Sequence, residues 1–504
     1  MDLFRTKSIE ELRERADAGE HKLHRTLGRK DLIFLGIGAI IGAGIFSTLG
    51  TAAAGEAGVR AGAGPALVIS FILLGLVCGL AGLCYAELTS MIPVSGSAYT
   101  YAFATMGELI AWIIGWDLIL EYAVGNVAVA IAWSGYFQSV IGYFGVELPF
   151  WLSHGYGDVM QQLSAATHAV DADKIASLQG ALDAAPHLFG RALMINLPAT
   201  LIVLAITWLL VRGVKESARV NNWMVYVKLL VLAMFLVVGA FYVDPENWKP
   251  FAPNGWRGIH QGAAIVFFAY IGFDAVSTAA EECKNPQKDM PVGILAALGI
   301  CTLIYVLVGL VATGLVPYAQ LASGADPLAR ALEGAGLPIV QLVLSIGAVV
   351  SMSAVLLVFQ LGQPRIFFAM SRDGLLPKVF SKVHPRYKTP HITTIATGLV
   401  VAAGAAYMDD DATYDLTNIG TLFAFLVACL GVMILRIKKP DIPRAFRVPF
   451  VWLVAPAGAA ACVYTMFGLP SVAWTRFGIW LAVGVGLYFV IKIIKSRTAT
   501  GSAD

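Results

Sequence analysis

Charged side chains stand inside several of the most apolar stretches of this sequence. Lys228 lies about nine residues into one such stretch, and Glu121 lies within another, with Asp117 one helical turn before it. A charge at the centre of a lipid bilayer costs about 2.5–3.5 kcal/mol, so a charge that is kept there is a candidate for function. The chemistry open to isolated amino and carboxyl groups in such places is ion pairing and proton transfer.

Lys228 has two interpretations. It is either a fixed or protonatable cation that takes the place of a bound sodium ion, or a side chain that extends its ammonium group to the cytoplasmic face. Ser351 and Ser353 belong to a stretch that would bring hydroxyl groups near it, although serines in helices also bond to their own backbone. We predict that Lys228 and Ser353 take part in proton coupling or substitute for an ion site.

The carboxyl groups leave alternatives open. Glu121 either lines a substrate cavity, carries a proton or bonds to a neighbouring hydroxyl group, whereas Asp117 is interpreted as structural. Asp274 is expected to cap a short helix. Glu87 closes a predicted helix and is interpreted as a helix-end or gate contact.

Two predicted membrane helices contain glycines in unusual places. The first reads GIGAIIGAGIF over residues 36–46, and the sixth reads FFAYIGFD over residues 267–274. Glycine costs about 1 kcal/mol per residue inside a helix and lets backbone groups open toward a ligand. Gly38 and Gly42 also have the spacing that allows close helix packing, so the first helix alone does not decide between packing and a break.

The pairing of these two segments favours breaks, since they open two successive groups of five helices. Matched interrupted helices in two halves are the best sequence indication of a transporter's central site. At 1.5 Å per residue, Gly42 lies ~16 Å into its helix, and Asp274 lies at a comparable depth. A half-helix after Gly44 would direct its amide groups at an anion, and free carbonyl groups around residues 268–271 would suit an ammonium group. These opposed groups match a zwitterion such as an α-amino acid.

The composition indicates the membrane in which these groups would lie. Of 504 residues, 58% are hydrophobic and 13% are charged, and the mean hydropathy is +0.73. A soluble chain is about a quarter charged, so a soluble enzyme and a disordered chain are excluded. The net charge of +2 gives no basic surface for nucleic acid. Six scattered cysteines without metal-type spacing are interpreted as buried thiols rather than disulfides or metal ligands.

A membrane-spanning helix needs about 20 mostly apolar residues, and twelve such spans are predicted, which makes the chain an all-α integral membrane protein. They cover about residues 32–55, 61–86, 107–146, 192–211, 219–243, 258–283, 290–325, 334–364, 389–408, 416–435, 448–475 and 473–491. Lys and Arg collect on the loops that share one side with the N-terminus, which predicts that both termini are cytoplasmic. The predicted regions are an N-terminal tail, a first and a second group of five helices, two additional helices and a C-terminal tail, at residues 1–30, 31–243, 258–436, 448–495 and 496–504.

Six motifs follow one another in an order that is typical of a known family. The chain resembles the amino acid–polyamine–organocation (APC) superfamily, in the branch of bacterial amino acid permeases that are similar to cationic amino acid transporters. The matching stretches are LGIGAIIGAGIF, CYAELTSMIPVSGSAYTYAFATMGELIAWIIGWDLILEY, VFFAYIGFDAVSTAAEECKNPQKDMPVGI, SRDGLLPKVFSKVHP, LTNIGTLFAF and FRVPFV. This resemblance implies a five-plus-five inverted repeat with discontinuous helices 1 and 6, two extra helices, and alternating access.

The resemblance also implies which residues hold the substrate, one set for its carboxylate and one for its amino group. These sets are Ile41, Gly42, Ala43 and Gly44, and then Phe268, Ala269 and Ile271. The side-chain pocket is expected to contain Glu121, Phe273 and Phe359. Lys228 matches a lysine that stands where sodium-driven relatives bind an ion, which favours proton coupling or exchange.

Two positions depart from the family pattern. Ala43 lies where a threonine hydroxyl is often found, and Phe359 is bulky where carriers of long cationic side chains need room. We therefore predict a secondary active, proton-coupled L-amino acid transporter that favours small neutral substrates such as alanine. The alternative is a carrier of arginine or lysine, which the acidic side chain of Glu121 would favour, or an amino acid exchanger. A more remote alternative is an amino acid sensor that does not transport.

Other partners and activities are expected as follows. The first 30 residues show no signal-peptide pattern, and with the resemblance this indicates a multi-pass protein of the plasma (inner) membrane, in contact with lipid. No HExxH motif or nucleophile elbow is present, so no enzyme is predicted. The expected partners are the amino acid and a proton, without a cofactor, a metal or nucleic acid, and the sequence indicates no particular protein partner.

Overall fold

The described part of the chain is mostly helical. The computed structural model describes residues 3, 5–8, 27–92, 97–188, 190–213, 218–274, 276–277, 283–322, 325–387 and 389–500. Most of the predicted N-terminal tail and the last four residues of the predicted C-terminal tail lie outside these ranges. Helices dominate because a backbone surrounded by lipid must satisfy its hydrogen bonds within its own segment.

The first half of the chain contains helices α1 to α11. They are α1 (Arg29–Ile40), α2 (Ala43–Ala54), α3 (Leu67–Met91), α4 (Ser97–Thr105), α5 (Glu108–Ile119), α6 (Gly125–Tyr143), α7 (Phe150–Ser153), α8 (Tyr156–Ala169), α9 (Ala172–Ala184), α10 (Leu197–Arg212) and α11 (Ala218–Ala240). A π-helical turn, Leu120–Val124, joins α5 to α6. Two short antiparallel hairpins pair β1 (Gly55–Glu56) with β2 (Arg60–Ala61), and β3 (His187–Leu188) with β4 (Arg191–Ala192).

The second half of the described chain contains helices α12 to α19, with short 3₁₀ turns between some of them. The helices are α12 (Gly255–Val266), α13 (Pro286–Leu315), α14 (Pro327–Gly334), α15 (Pro338–Arg372), α16 (His391–Tyr407), α17 (Asp410–Lys438), α18 (Val451–Met466) and α19 (Ser471–Thr500). The 3₁₀ turns are Phe267–Tyr270, Tyr318–Ala322 and Lys378–Ser381. Two further 3₁₀ turns, Gly64–Ala66 and Pro245–Trp248, precede α3 and α12.

Seven helices of the described chain are long and apolar enough to cross a membrane. They lie at 64–91, 108–143, 222–240, 286–315, 338–372, 410–438 and 471–494. The bent pair α1 and α2 gives an eighth if it is one span. Helices α10, α16 and α18 coincide with three more predicted spans but have only 16 or 17 residues, and predicted span 6 is divided at the end of α12. Eight of the twelve predicted spans therefore reach spanning length in the described structure.

A buried ion cluster ties together the end of the bundle at which α3 and α17 finish. The carboxylate of Glu87 accepts hydrogen bonds from Arg436 at 2.7 and 2.9 Å, from Arg444 at 3.2 Å and from the amide of Val448 at 2.7 Å. Glu87 and Arg444 are both buried. This geometry agrees with the interpretation of Glu87 as a helix-end contact, since the carboxylate holds the segment between α17 and α18 against α3.

At the opposite end, Arg60 joins the first hairpin to the beginning of α17. Its guanidinium donates to both carboxylate oxygens of Asp415, at 3.0 and 2.7 Å, and to Glu56 at 3.3 Å. Burial alone lowers the pKa of Arg60, but the surrounding carboxylates raise it above its ordinary value. Gln161 of α8 donates to Glu56 and to Asp411, so the helices between α6 and α10 also fasten to this end. A cavity of about 1210 Å³ opens here.

Candidate functional site

The predicted break in span 1 is present between α1 and α2. Helix α1 ends at Ile40, Ile41 is extended and α2 begins at Ala43, and the two axes differ by 43°. A Cβ atom on Gly42 would lie 2.7 Å from Cγ2 of Val355 in α15, so a side chain at this position would collide with the neighbouring helix. The first amide groups of α2 have no acceptor within their own helix, which makes the start of α2 a place for an anion.

Predicted span 6 is interrupted at the corresponding position. After α12 the chain makes the 3₁₀ turn Phe267–Tyr270, Ile271 is extended, and Gly272 has a φ of +110°. This φ lies in the region that favours glycine, and a Cβ atom on Gly272 would also come within 2.7 Å of the carbonyl oxygen of Ala39. The break therefore requires glycine for its backbone conformation and for its contact with α1.

The two interrupted segments touch each other. A Cβ atom on Gly44 would overlap the backbone of Ala269, with 2.5 Å to its nitrogen. The hydroxyl of Tyr305 in α13 lies 3.0 Å from the carbonyl oxygen of Ile40 and 2.8 Å from that of Ala269. Tyr305 therefore contacts both breaks, although sequence reasoning missed it. The only available signal was a single tyrosine in an apolar helix, which is usually a packing residue.

Lys228 lies at the first break. Its ammonium group donates hydrogen bonds of 2.7 Å to the carbonyl oxygens of Gly38 and Ile41. The side chain is almost fully buried and does not extend to the end of α11. Carbonyl groups at the end of α1 thus accept hydrogen bonds from a charged donor.

The two serines of α15 differ in their contacts. Ser351 Oγ lies 3.5 Å from the carbonyl oxygen of Ile41, so this residue faces the break. Ser353 instead donates to the carbonyl of Val349 at 2.7 Å and accepts from the indole of Trp133 at 2.9 Å. The structure therefore does not bring Ser353 to Lys228, because residues two positions apart on a helix face different directions.

Glu121 and Asp274 form a carboxyl pair between span 3 and span 6. Both residues are buried, and their carboxyl groups are close enough for their charges to interact. Glu121 lies in the π-helical turn, a local widening that is frequent at functional sites. Two buried carboxylates at close range repel each other, and a proton on one of them would relieve this repulsion. The predicted cap by Asp274 concerns a helix of which residues 275 and 278–282 lie outside the described chain.

The three aromatic residues near the breaks have different environments. Phe359 is buried one turn beyond Val355, packs on Gly125 and contacts the ring of Tyr122 with centroids 5.8 Å apart. Phe273 packs between Tyr85 and Phe425 in an aromatic cluster. The ring of Phe268 contacts that of Tyr414, which donates to Ser47. Phe359 therefore continues the side of α15 that meets Gly42, whereas Phe273 is part of a packed cluster.

Comparisons with known proteins identify a family and several relatives of this chain. The family described as amino acid permease has a sequence model that matches residues 27–490. The chain is 47% identical to the methylthioribose transporter of Bacillus subtilis, over 97% of each chain. It is 46% identical to the branched-chain amino acid permease BcaP of the same organism, over 98% of each chain. It is also 36% identical to the vacuolar cationic amino acid transporter 4 of Arabidopsis thaliana, over 87% of this chain and 68% of that relative.

Proposed function

Because the chain belongs to the amino acid permease family of the APC superfamily, whose members are membrane transporters and not enzymes, we propose that it is a proton-coupled L-amino acid transporter. The proposed substrates are small neutral amino acids such as alanine. The observation that carries this proposal is the contact of two interrupted helices beside the buried ammonium group of Lys228. The proposed location is the plasma membrane, with both termini in the cytoplasm.

The two breaks offer complementary backbone groups to a zwitterion. The substrate carboxylate binds at residues 41–44, where the first amides of α2 are directed at it. The ammonium group binds at the carbonyl groups of Phe268, Ala269 and Ile271. Among the described residues, the carbonyl of Phe268 accepts a long bond of 3.4 Å from the amide of Ile271, and its second lone pair is available to the substrate.

The pattern of helix contacts supports a five-plus-five inverted repeat. Helix α1 packs on α13, and its counterpart in the second group, α12, packs on α3. Helix α11 packs on α15 and α1, and its counterpart α17 packs on α6 and α12. The pairs α3 with α13, α6 with α15, and α10 with α16 join equivalent helices of the two groups. We propose that these helices, with α18 and α19, make twelve spans that rock around the two breaks.

Proton coupling is proposed from two features. Lys228 supplies a built-in cation at the break, so that no sodium ion is needed to satisfy the carbonyl groups of Gly38 and Ile41. The Glu121–Asp274 pair carries a proton between two helices that belong to different repeats. A group that binds and releases this proton as the repeats move couples proton entry to amino acid entry.

Uptake by purified protein in proteoliposomes tests this function. Radiolabelled alanine is expected to accumulate when the outside is acidic and sodium is absent, and not in a sodium gradient without a pH difference. Uptake that needs sodium and ignores the pH gradient would contradict the coupling. Exchange of internal for external alanine without net uptake would identify an exchanger, and the absence of both activities would favour a sensor.

Competition by unlabelled compounds tests the substrate class. Alanine and valine are expected to compete, valine because one relative is named for branched-chain amino acids. Strong competition by arginine would contradict the neutral preference. Methylthioribose, named for another relative, is a sugar thioether without ammonium and carboxylate groups, and strong competition by it would contradict the zwitterion site.

Replacing Phe359 with serine is expected to widen the range of accepted substrates. The change removes a ring that packs on Gly125 beside Tyr122 and leaves room for a longer side chain. We expect binding of arginine to improve by about 10-fold, which corresponds to about 1.4 kcal/mol. The measurement is inhibition of alanine uptake by arginine and leucine. Phe477→Ser, which removes an equally buried ring from α19, is the control, and unchanged selectivity of Phe359→Ser would contradict the pocket assignment.

A further inference from the structure

Asp117 is a buried carboxyl group that the proposed coupling does not yet use. It lies in α5, one helical turn before Glu121, and only 1% of its surface is exposed. Neither of its carboxylate oxygens has a hydrogen-bond partner among the described residues. Burying an ionised carboxylate without a hydrogen-bond partner costs much free energy, because the hydrogen bonds that it made to water are not replaced. The isolated acid is therefore stable here only while it carries its proton.

The surroundings of Asp117 make room for the carboxyl group but provide no countercharge. Helix α17 contributes Gly420, where a Cβ atom would lie 2.9 Å from Oδ1 of Asp117. Helix α15 contributes Met370, whose sulfur would lie 2.7 Å from a Cβ atom on Gly115, two residues before Asp117. The charged residues of α19 act at its two ends, Arg476 on Asp409 and Lys492 on Glu108. In the described chain, Glu121 is the ionisable neighbour of Asp117.

Asp117 lies between Glu121 and the predicted cytoplasmic end of span 3. Helix α5 begins at Glu108, so Asp117 lies ~14 Å from its start. On the same stretch of helix, a Cβ atom on Gly115 would lie 3.2 Å from the ring of Tyr99, whose hydroxyl donates to Asp373 at 2.8 Å. Tyr99 and Asp373 lie within segments that are cytoplasmic in the predicted topology. The carboxyl group of Asp117 therefore lies between Glu121 and cytoplasmic water. A proton that stops at Asp117 crosses the apolar region in two shorter steps.

We propose that Asp117 is a second proton-carrying carboxyl group, in series with Glu121, through which the coupled proton leaves toward the cytoplasm. The proton of Asp117 passes to cytoplasmic water, and the resulting carboxylate takes the proton from the carboxyl group of Glu121. Asp117 ends protonated, Glu121 ends ionised, and one proton has moved inward without any other bond being changed. This inference rests on the proposed function, because it needs a transporter that couples to protons.

The test compares net uptake with exchange in proteoliposomes that contain Asp117→Asn. Asparagine has the same shape and fits beside Gly420, but it neither releases nor accepts a proton. Alanine uptake driven by a pH gradient is expected to fall about 10-fold or more, with a changed dependence on internal pH. Exchange of alanine at equal pH on both sides, which needs no net release of a proton, is expected to stay within about twofold of the unmodified protein. Asp289→Asn alters another buried aspartate, paired with Arg29, and is the control.

The outcomes separate this inference from the function on which it rests. Unmodified protein that ignores the pH gradient would overturn the proposed coupling and the relay together. A responsive unmodified protein with normal net uptake by Asp117→Asn would overturn the relay alone. Equal losses of net uptake and exchange would show a structural role and also overturn it. Asp117→Ser, whose smaller side chain fits the same niche, is expected to repeat the selective loss if the asparagine variant does not fold.

Discussion

Replacing Lys228 with methionine is expected to abolish alanine uptake. Methionine has a similar length but supplies no donor to the carbonyl oxygens of Gly38 and Ile41, each of which now accepts a bond of 2.7 Å. A hydrogen bond from a charged donor contributes about 1.5–3 kcal/mol, and about 2.7 kcal/mol corresponds to 100-fold in rate. We therefore expect uptake in proteoliposomes to fall by at least about 100-fold. The measurement is the initial rate at saturating and at low alanine.

The matched control for Lys228 is Lys249→Met, which removes an exposed ammonium group paired only with Glu246. This variant is expected to transport normally, because surface ion pairs contribute about 0–1 kcal/mol. Thermal unfolding of both variants in detergent separates a loss of transport from a loss of folding. If the Lys228→Met protein folds and takes up alanine at the normal rate, Lys228 has no role in transport.

Replacing Gly44 with alanine is expected to have a comparably large effect through packing alone. The added Cβ atom would overlap the backbone of Ala269, which is not the end of a flexible side chain and cannot turn aside. Overpacking of this kind costs about 1–3 kcal/mol in stability, and a displacement of about 1 Å in a site can cost 100-fold in rate. We expect a lower melting temperature and alanine uptake near background.

Gly79→Ala is the control for this substitution. Gly79 lies inside α3, and no described atom comes within 4 Å of a Cβ atom built there. Alanine stabilises a helix interior by about 0.5–1 kcal/mol relative to glycine, so this variant is expected to be at least as stable as the parent protein. If Gly44→Ala behaves like Gly79→Ala, the two breaks do not lie in contact during transport.

The family and the two breaks could be predicted from the sequence because their signals are local. Glycines in matching places of spans 1 and 6 interrupt both helices at 41–42 and 267–272, as predicted, and the motifs identified a family that the comparisons confirm. The contact of Lys228 with the first break followed from comparing depths along two helices. Depth is predictable because a helix rises by a constant 1.5 Å per residue.

Other features depend on rotation and side-chain direction, which the sequence does not reveal. Ser351 and Ser353 are equivalent in type and depth, yet only Ser351 faces Ile41, because the rotation of α15 is determined by packing. The role of Tyr305 arises from helix α13, far from both breaks in the sequence. The π-helical turn at Glu121 contains no residue type from which its position could have been predicted. Helices α10, α16 and α18 are shorter than their predicted spans because part of each apolar stretch, at one or both ends, is not helical.

The position of Tyr305 has a consequence for how the two halves of the molecule communicate. A phenol has a single hydrogen to give, and two carbonyl oxygens from different half-helices compete for it at 3.0 and 2.8 Å. The hydroxyl can therefore donate fully to only one of Ile40 and Ala269 at a time, although it lies close to both. One phenol thus links the two interrupted segments, so a motion that separates them must break at least one of its contacts.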